Sequence, residues 1–173
     1  MVKKKDGSPR LCVDYRALNR KIIRDRYPLP LIEDQLDLLQ GAKVFSALDL
    51  KSGFFQVPIN RDSRKYTSFI VADGQYEFLR APFGLCNSPS VFQRFINSVF
   101  KELIAKKIVL VYIDDIIIPS MDGESGLTNL KSCTESCERG RAVNQLGQVQ
   151  VFTTPGRVPG AYSEGRYGSS FGA

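Results

Sequence analysis

A chain of 173 residues with 43% hydrophobic content can bury one core but is too short for several domains. Its formal charge is +6, and no stretch reaches the ~20 apolar residues that cross a bilayer, so a helical membrane protein is excluded and no membrane partner is expected. Lys3, Lys4 and Lys5 have no apolar run behind them, so no signal peptide is read, and an intracellular setting, cytoplasmic or nuclear, with reduced thiols is expected.

In chain order, residues 1–26 come first and carry nine basic side chains against three acidic ones, while the rest of the chain balances. A cationic block on a neutral body suits a polyanion such as nucleic acid or a nucleoside triphosphate. The plainer alternative is a solvated basic tail. Residues 9–15 read as a short strand after a Lys-Asp-Gly turn. Tyr27-Pro28-Leu29-Pro30 is a rigid connector, because proline fixes φ and excludes helix. Ile32, Leu36 and Leu39 mark one face of a helix over 31–40, closed by Gly41. Residues 44–48 read as a buried strand that ends at Lys51-Ser52-Gly53. Residues 67–71 and 76–79 are strand-like around Asp73-Gly74, a hairpin signal. Ser88-Pro89 opens a helix, with Ser88 as its cap, and Phe92, Phe95, Ile96, Val99, Phe100 and Leu103 form its stripe. Residues 108–113 form a β-branched strand, Asp114 and Asp115 a turn, and residues 116–118 the returning arm. From Ser132 onward no period of 2 or 3.6 is sustained, and residues 120–173 read as mostly irregular. Four cysteines, Cys12, Cys86, Cys133 and Cys137, accompany no histidine. They read as buried or half-buried thiols, since Cys133 and Cys137 lack the further ligands a zinc site needs.

The chemistry concentrates at Tyr112-Ile113-Asp114-Asp115, with Phe45-Ser46-Ala47-Leu48-Asp49 upstream. Adjacent aspartates repel one another unless a cation offsets them, and hard divalent cations take carboxylate oxygens. A bare Asp-Asp pair is most often an exposed turn. Here two apolar arms hold it, which a solvent turn does not require.

These residues resemble the catalytic motifs of reverse transcriptases. Tyr112-Ile113-Asp114-Asp115 is similar to the signature hairpin. Residues 45–54, FSALDLKSGF, resemble the first catalytic motif. Residues 79–89, LRAPFGLCNSP, resemble the template- and nucleotide-contacting motif. Residues 13–19, VDYRALN, resemble the fingers motif. The variants are those of gypsy-type long-terminal-repeat retrotransposons, in the form of part of a Pol polyprotein.

The resemblance implies an α+β fold: partial fingers and palm over residues 1–120, with an antiparallel palm sheet and packed helices. Asp49 and the Asp114–Asp115 hairpin would lie on adjacent strands, close enough to share ions. The implied activity is RNA-directed DNA polymerase, a two-metal transfer of deoxynucleotides to a primer 3′-hydroxyl on an RNA or DNA template. Asp49, Asp114 and Asp115 would be catalytic and would hold two Mg²⁺ ions, with Mn²⁺ as a substitute. Lys4, Lys5 and Arg10 would contact the triphosphate. Phe54 would exclude a 2′-hydroxyl, its alternative being a core side chain, which is the reading preferred for Phe55. Phe83 and Gly84 would line the pocket, and Tyr112 would pack near the primer end. Gln93 and Arg94 would touch the template or simply be solvated on the helix surface.

Residues 121–173 depart from the family's pattern. A one-nucleotide shift in codons allowed for residues 143–173 can produce a string of the family's type, so the tail is read as frameshifted and disordered. The thumb, RNase H and integrase regions of a parent polyprotein would then be missing partners, and the expectation is a metal-site sequence with little processive synthesis. The competing reading is a non-catalytic nucleic-acid-binding relic of a decayed element. An unrelated two-metal phosphotransferase would explain the carboxylates but not the other motifs.

Overall fold

The computed structural model describes residues 2–3, 9–50, 53–140 and 146–153. The antiparallel pair β1 (Val2–Lys3) and β2 (Pro9–Arg10) comes first. The strand expected over 9–15 stops at Arg10, and Asp14 instead accepts from the backbone N–H and guanidinium of Arg16, turning the chain into α1 (Arg16–Asn19). Helix α2 (Ile32–Leu38) forms as expected and is closed by Gly41 at φ +83°. Its apolar face is not covered, since Ile32 and Leu36 are both exposed.

Strand β3 (Val44–Leu50) alternates: Val44, Ser46, Leu48 and Leu50 are buried, while Asp49 is exposed. Two 3₁₀ turns follow, Gly53–Gln56 and Arg61–Thr67, then the hairpin of β4 (Phe69–Val71) and β5 (Gly74–Tyr76). The register Val71↔Gly74 leaves Ala72 and Asp73 as a two-residue turn, so the second arm starts earlier than its apolar pattern suggested. Helix α3 (Ser88–Val99) opens at the serine and proline, but the Ser88 hydroxyl donates to the Pro82 carbonyl at 3.0 Å and does not cap the helix. Phe100 breaks it from α4 (Lys101–Ala105).

Strands β6 (Leu110–Tyr112) and β7 (Asp115–Ser120) form the second hairpin. Tyr112 pairs with Asp115, so the turn consists of Ile113 and Asp114, and Asp115 belongs to a strand rather than to the turn. The region expected to be irregular then departs from that reading. Residues 123–139 form α5 (Gly123–Arg139), and residues 146–153 form β8 (Leu146–Thr153). Asp122 caps α5 by accepting from the Ser125 N–H at 2.8 Å. The buried face of α5 runs through Gly126, Cys133 and Cys137, with Leu130 packed beside it. This is a helical period written in small residues and thiols instead of leucines. Residues 154–173, the rest of the expected tail, lie outside the described residues.

The antiparallel sheet has the order β6-β7-β3-β8. One face is buried. Leu48, Leu50, Ile116 and Ile118 meet Phe92, Ile96 and Phe100, with Cys133 and Cys137 in the same core. The helices therefore pack on the back of the sheet, as the resemblance implied. The other face presents Asp49 and Asp115, both exposed.

Candidate active site

The sheet register builds the site. In β3 the side chains of Leu48 and Leu50 go into the core, so Asp49 must point to the open face. In β7 the same constraint from Ile116 and Ile118 puts Asp115 on that face. The strands pair antiparallel with Asp49 directly opposite Asp115. Like charges in that relation destabilise a sheet. Burial and then the Asp49 charge raise the Asp115 carboxyl above its ordinary value of 3.8. A chain that places two carboxylates opposite one another, on strands otherwise committed to a core, has a donor set suited to a hard cation.

Asp114 takes a different direction. Its carbonyl accepts from the Leu50 N–H at 3.0 Å, tying the turn to the end of β3. Its carboxylate lies against Gly53, where an added Cβ would overlap Oδ1 and come within 2.7 Å of the Phe92 ring. Only glycine fits there, so the Lys51-Ser52-Gly53 break in the sequence makes room for Asp114. Among the described residues, no three His, Cys, Asp or Glu side chains are gathered into a group that could hold a metal ion. The pair Asp49 and Asp115 fits one, and Asp114 stands beside it.

An aromatic wall adjoins the carboxylates. The Phe54 ring centroid lies 5.0 Å from Phe83 and 5.7 Å from Phe92. Phe54 thus joins the loop before α3 to the core, in keeping with its core alternative. Phe55, half-buried, packs on Phe78 and Phe83 at 6.1 and 5.5 Å, in an aromatic cluster beside the main core. Gly84 has φ +94°, which favours glycine, and an added Cβ would sit 3.4 Å from the Val13 carbonyl. Asn19 spans that loop, donating to the Gly84 carbonyl at 2.8 Å and accepting from the Cys86 N–H at 2.9 Å. The fingers motif is thereby joined to the loop bearing Phe83 and Gly84. Tyr112 is 37% exposed and stands in register with Asp115. Lys4 and Lys5 lie outside the described residues, and Arg10 is placed in β2, paired with Val2.

One expectation for α3 changes: Gln93 is fully buried and does not reach the helix surface. Arg94 stays on that surface, half exposed, where one edge of its guanidinium pairs with Asp25 at 2.7 Å and one face lies over the Tyr27 ring at 4.9 Å. Sequence reasoning missed Gly53, Asn19 and Gln93 as supports of the site. Gly53 alone left a signal, as a glycine just past the strand that carries Asp49.

Comparison with known proteins agrees with this geometry. The family described as Reverse transcriptase (RNA-dependent DNA polymerase) matches residues 2–146. The chain is 51% identical over 114 residues to the Retrovirus-related Pol polyprotein from transposon gypsy of Drosophila melanogaster, covering 65% of this chain and 11% of that one. It is 36% identical over 149 residues to the Enzymatic polyprotein of Cauliflower mosaic virus (strain CM-1841), covering 86% of this chain and 22% of that one. A crystal structure of Prototype Foamy Virus Protease-Reverse Transcriptase superposes with TM-score 0.70 at 30% identity, over 80% of this chain and 18% of that one. A foamy viral protease-reverse transcriptase in complex with RNA/DNA hybrid superposes with TM-score 0.67 at 27% identity, again over 80% and 18%. The chain thus spans less than a quarter of the length of each of these relatives. With the motif order, the opposed carboxylates of the sheet and these likenesses in agreement, the chain belongs to the reverse transcriptase family and is similar in sequence to the Pol polyproteins of gypsy-type retrotransposons.

Proposed function

We propose that this chain is the polymerase core of a retroelement, adding deoxynucleotides to a primer 3′-hydroxyl on an RNA or DNA template. The observation that carries the proposal is the cross-strand register Asp49↔Asp115 on the open face of the sheet, with Asp114 in the adjoining turn. Divalent ions held by Asp49, Asp114 and Asp115, two Mg²⁺ by family resemblance, would supply charge neutralisation for the attacking hydroxyl and the triphosphate. The protein's own side chains set the geometry around them. Phe54, fixed between Phe83 and Phe92, presents a rigid edge that disfavours a ribose 2′-hydroxyl. Gly84, whose missing side chain lets the loop close on Val13 and Tyr15, would line the pocket through its backbone beside Phe83. Tyr112 offers a flat surface on the primer side. Lys4, Lys5 and Arg10 supply cations for the triphosphate. The related foamy viral enzyme binds an RNA/DNA hybrid and double-stranded DNA, which supports a template–primer partner for this chain. Thumb, RNase H and integrase regions of a Pol polyprotein are its proposed working partners.

A second reading, a nucleic-acid-binding relic without catalysis, is favoured by the direction of the Asp114 carboxylate, which is turned toward Gly53 and leaves Asp49 and Asp115 as a pair. One experiment separates the two. The purified 173-residue chain is given a labelled primer–template, one deoxynucleotide and Mg²⁺. The proposal expects single-nucleotide addition without long products, lowered roughly 10³-fold by Asp49→Asn or Asp114→Asn. Template binding with no addition above that of the Asp114→Asn chain would establish the relic.

A further inference from the structure

The turn that carries the carboxylates is strained at one residue. Ile113 has φ +53°, a conformation that a β-branched side chain adopts only when its surroundings impose it. The surroundings are on α3. Gln93, with no exposed surface, sits behind the hairpin. Its Oε1 accepts from the Ile113 N–H at 2.7 Å, and its Nε2 donates to the Val111 carbonyl at 3.3 Å. The same Nε2 donates to Asn97 Oδ1 at 2.9 Å, and Asn97 Nδ2 donates to the Tyr27 hydroxyl at 2.9 Å. These bonds fix which end of the Gln93 amide faces the turn. They also run from the proline-rich connector to the turn, through the half-buried Tyr27 and Asn97 to the buried Gln93.

Resting on the polymerase reading above, we propose that Gln93 is a positioning residue that holds the catalytic turn in register. It binds the backbone on both sides of Tyr112, at Val111 and at Ile113. The left-handed step at Ile113 makes the turn two residues long, so Asp115 and not Asp114 enters the strand opposite Asp49. A relaxed Ile113 would let the hairpin slip by one residue, and a one-residue slip moves every side chain to the other face. Asp115 would then point into the core and Ile116 to the open face. Gln93 thus determines which carboxylate meets Asp49, without touching substrate itself.

The test uses the full 173-residue chain as wild type, Gln93→Met, Gln93→Glu and Asn97→Ala. The first readout is amide exchange at Ile113 by NMR. Gln93→Met, similar in length but without either bond, is expected to speed Ile113 exchange about 100-fold while Leu48 and Ile116 change less than about threefold. Gln93→Glu, kept neutral by full burial, offers the same acceptor to Ile113 and a single donor hydrogen for the Val111 carbonyl, loses the bond to Asn97, and is expected to stay within about tenfold of wild type. Asn97→Ala releases the outer amide contact and is expected to speed Ile113 about tenfold. It also decides the matter if Gln93→Met does not fold. The second readout is Mn²⁺ affinity by electron paramagnetic resonance, expected to fall about 10- to 100-fold in Gln93→Met and to recover in Gln93→Glu. Ile113 exchange equal in wild type, Gln93→Met and Asn97→Ala would overturn the clamp. Fast exchange in Gln93→Met with unchanged Mn²⁺ affinity would overturn its positioning role. A wild-type chain that binds no Mn²⁺ would count against the polymerase reading alone, leaving exchange to decide the clamp.

Discussion

Tyr15 belongs to the fingers motif, yet its work in this fold is to anchor. Its side chain is 5% exposed, and its hydroxyl donates to the Thr67 carbonyl at 2.8 Å, joining the segment before α1 to the second 3₁₀ turn. Burial pushes the phenol up to about 12 from its ordinary value of 10.0. A group whose folded value is raised contributes stability that is present below the unfolded value and lost as pH climbs through the folded one. The window therefore runs from pH 10.0 to about 12. Thermal or urea unfolding across that window should show the wild type losing ~2 kcal/mol to this group. Tyr15→Phe should cost ~1 kcal/mol at neutral pH for the lost hydrogen bond and should flatten the alkaline limb. A variant with an unchanged alkaline limb would assign the loss to other groups. Tyr15 was legible as a motif letter, but its anchoring was not, because the partner is a backbone carbonyl 52 positions away.

The hairpin of β6 and β7 carries the site's electrostatic burden as an element. Its strands are anchored in the core through Val111, Ile116 and Ile118, and with that anchoring Asp115 lies on the open face, in register with Asp49. Asp115→Asn removes one of the opposed charges and keeps the shape. In EDTA at neutral pH the variant should be more stable by ~0.5 kcal/mol, read as a higher urea midpoint, while nucleotide addition is lost. An unchanged or lower midpoint would mean that the pair is already screened by solvent. The sequence showed these arms because β-branched residues run on either side of the aspartates. It misplaced the turn by one residue, since two adjacent aspartates look like a turn and nothing local says that Ile113 takes the left-handed step. Helix α5 was missed for a related reason. Its buried positions are Gly126, Cys133, Ser136 and Cys137, residues that carry little weight in an apolar period although they fill a tight contact well. Gly126 faces the sheet directly: an added Cβ would make ordinary contact with Val44 at 3.5 Å and Ser120 at 3.6 Å. The Asp122–Ser125 cap was a readable start signal that the glycine-rich surroundings obscured. In β8, Val149 and Val151 alternate with Gln148 and Gln150, but both valines are exposed, and none of the described side chains over 149–153 is buried, so alternation there marks no core face.

For the whole molecule, the net charge is spread unevenly along the chain. The excess of +6 lies in residues 1–26, although Asp14 holds Arg16 and Asp25 holds Arg94, each at 2.7 Å. Binding of a primer–template through about four phosphate contacts should weaken roughly 10²-fold between 50 and 200 mM salt, measured by fluorescence anisotropy. A salt-independent affinity would assign binding to base stacking instead. The family was legible from four motifs in order, because each motif is short and local. The supports of the site were not, because Asn19, Gly53 and Gln93 act through contacts that only the folded chain makes. The same separation applies to the thiols. Cys12 is exposed and Cys86 half-buried, whereas Cys133 and Cys137 are sealed between α5 and the sheet. An alkylating reagent thus has two ready targets on the native chain and two that open only when α5 lifts away. The number of adducts per molecule becomes a direct count of how many chains in a preparation have docked that helix, with no need for enzymatic turnover.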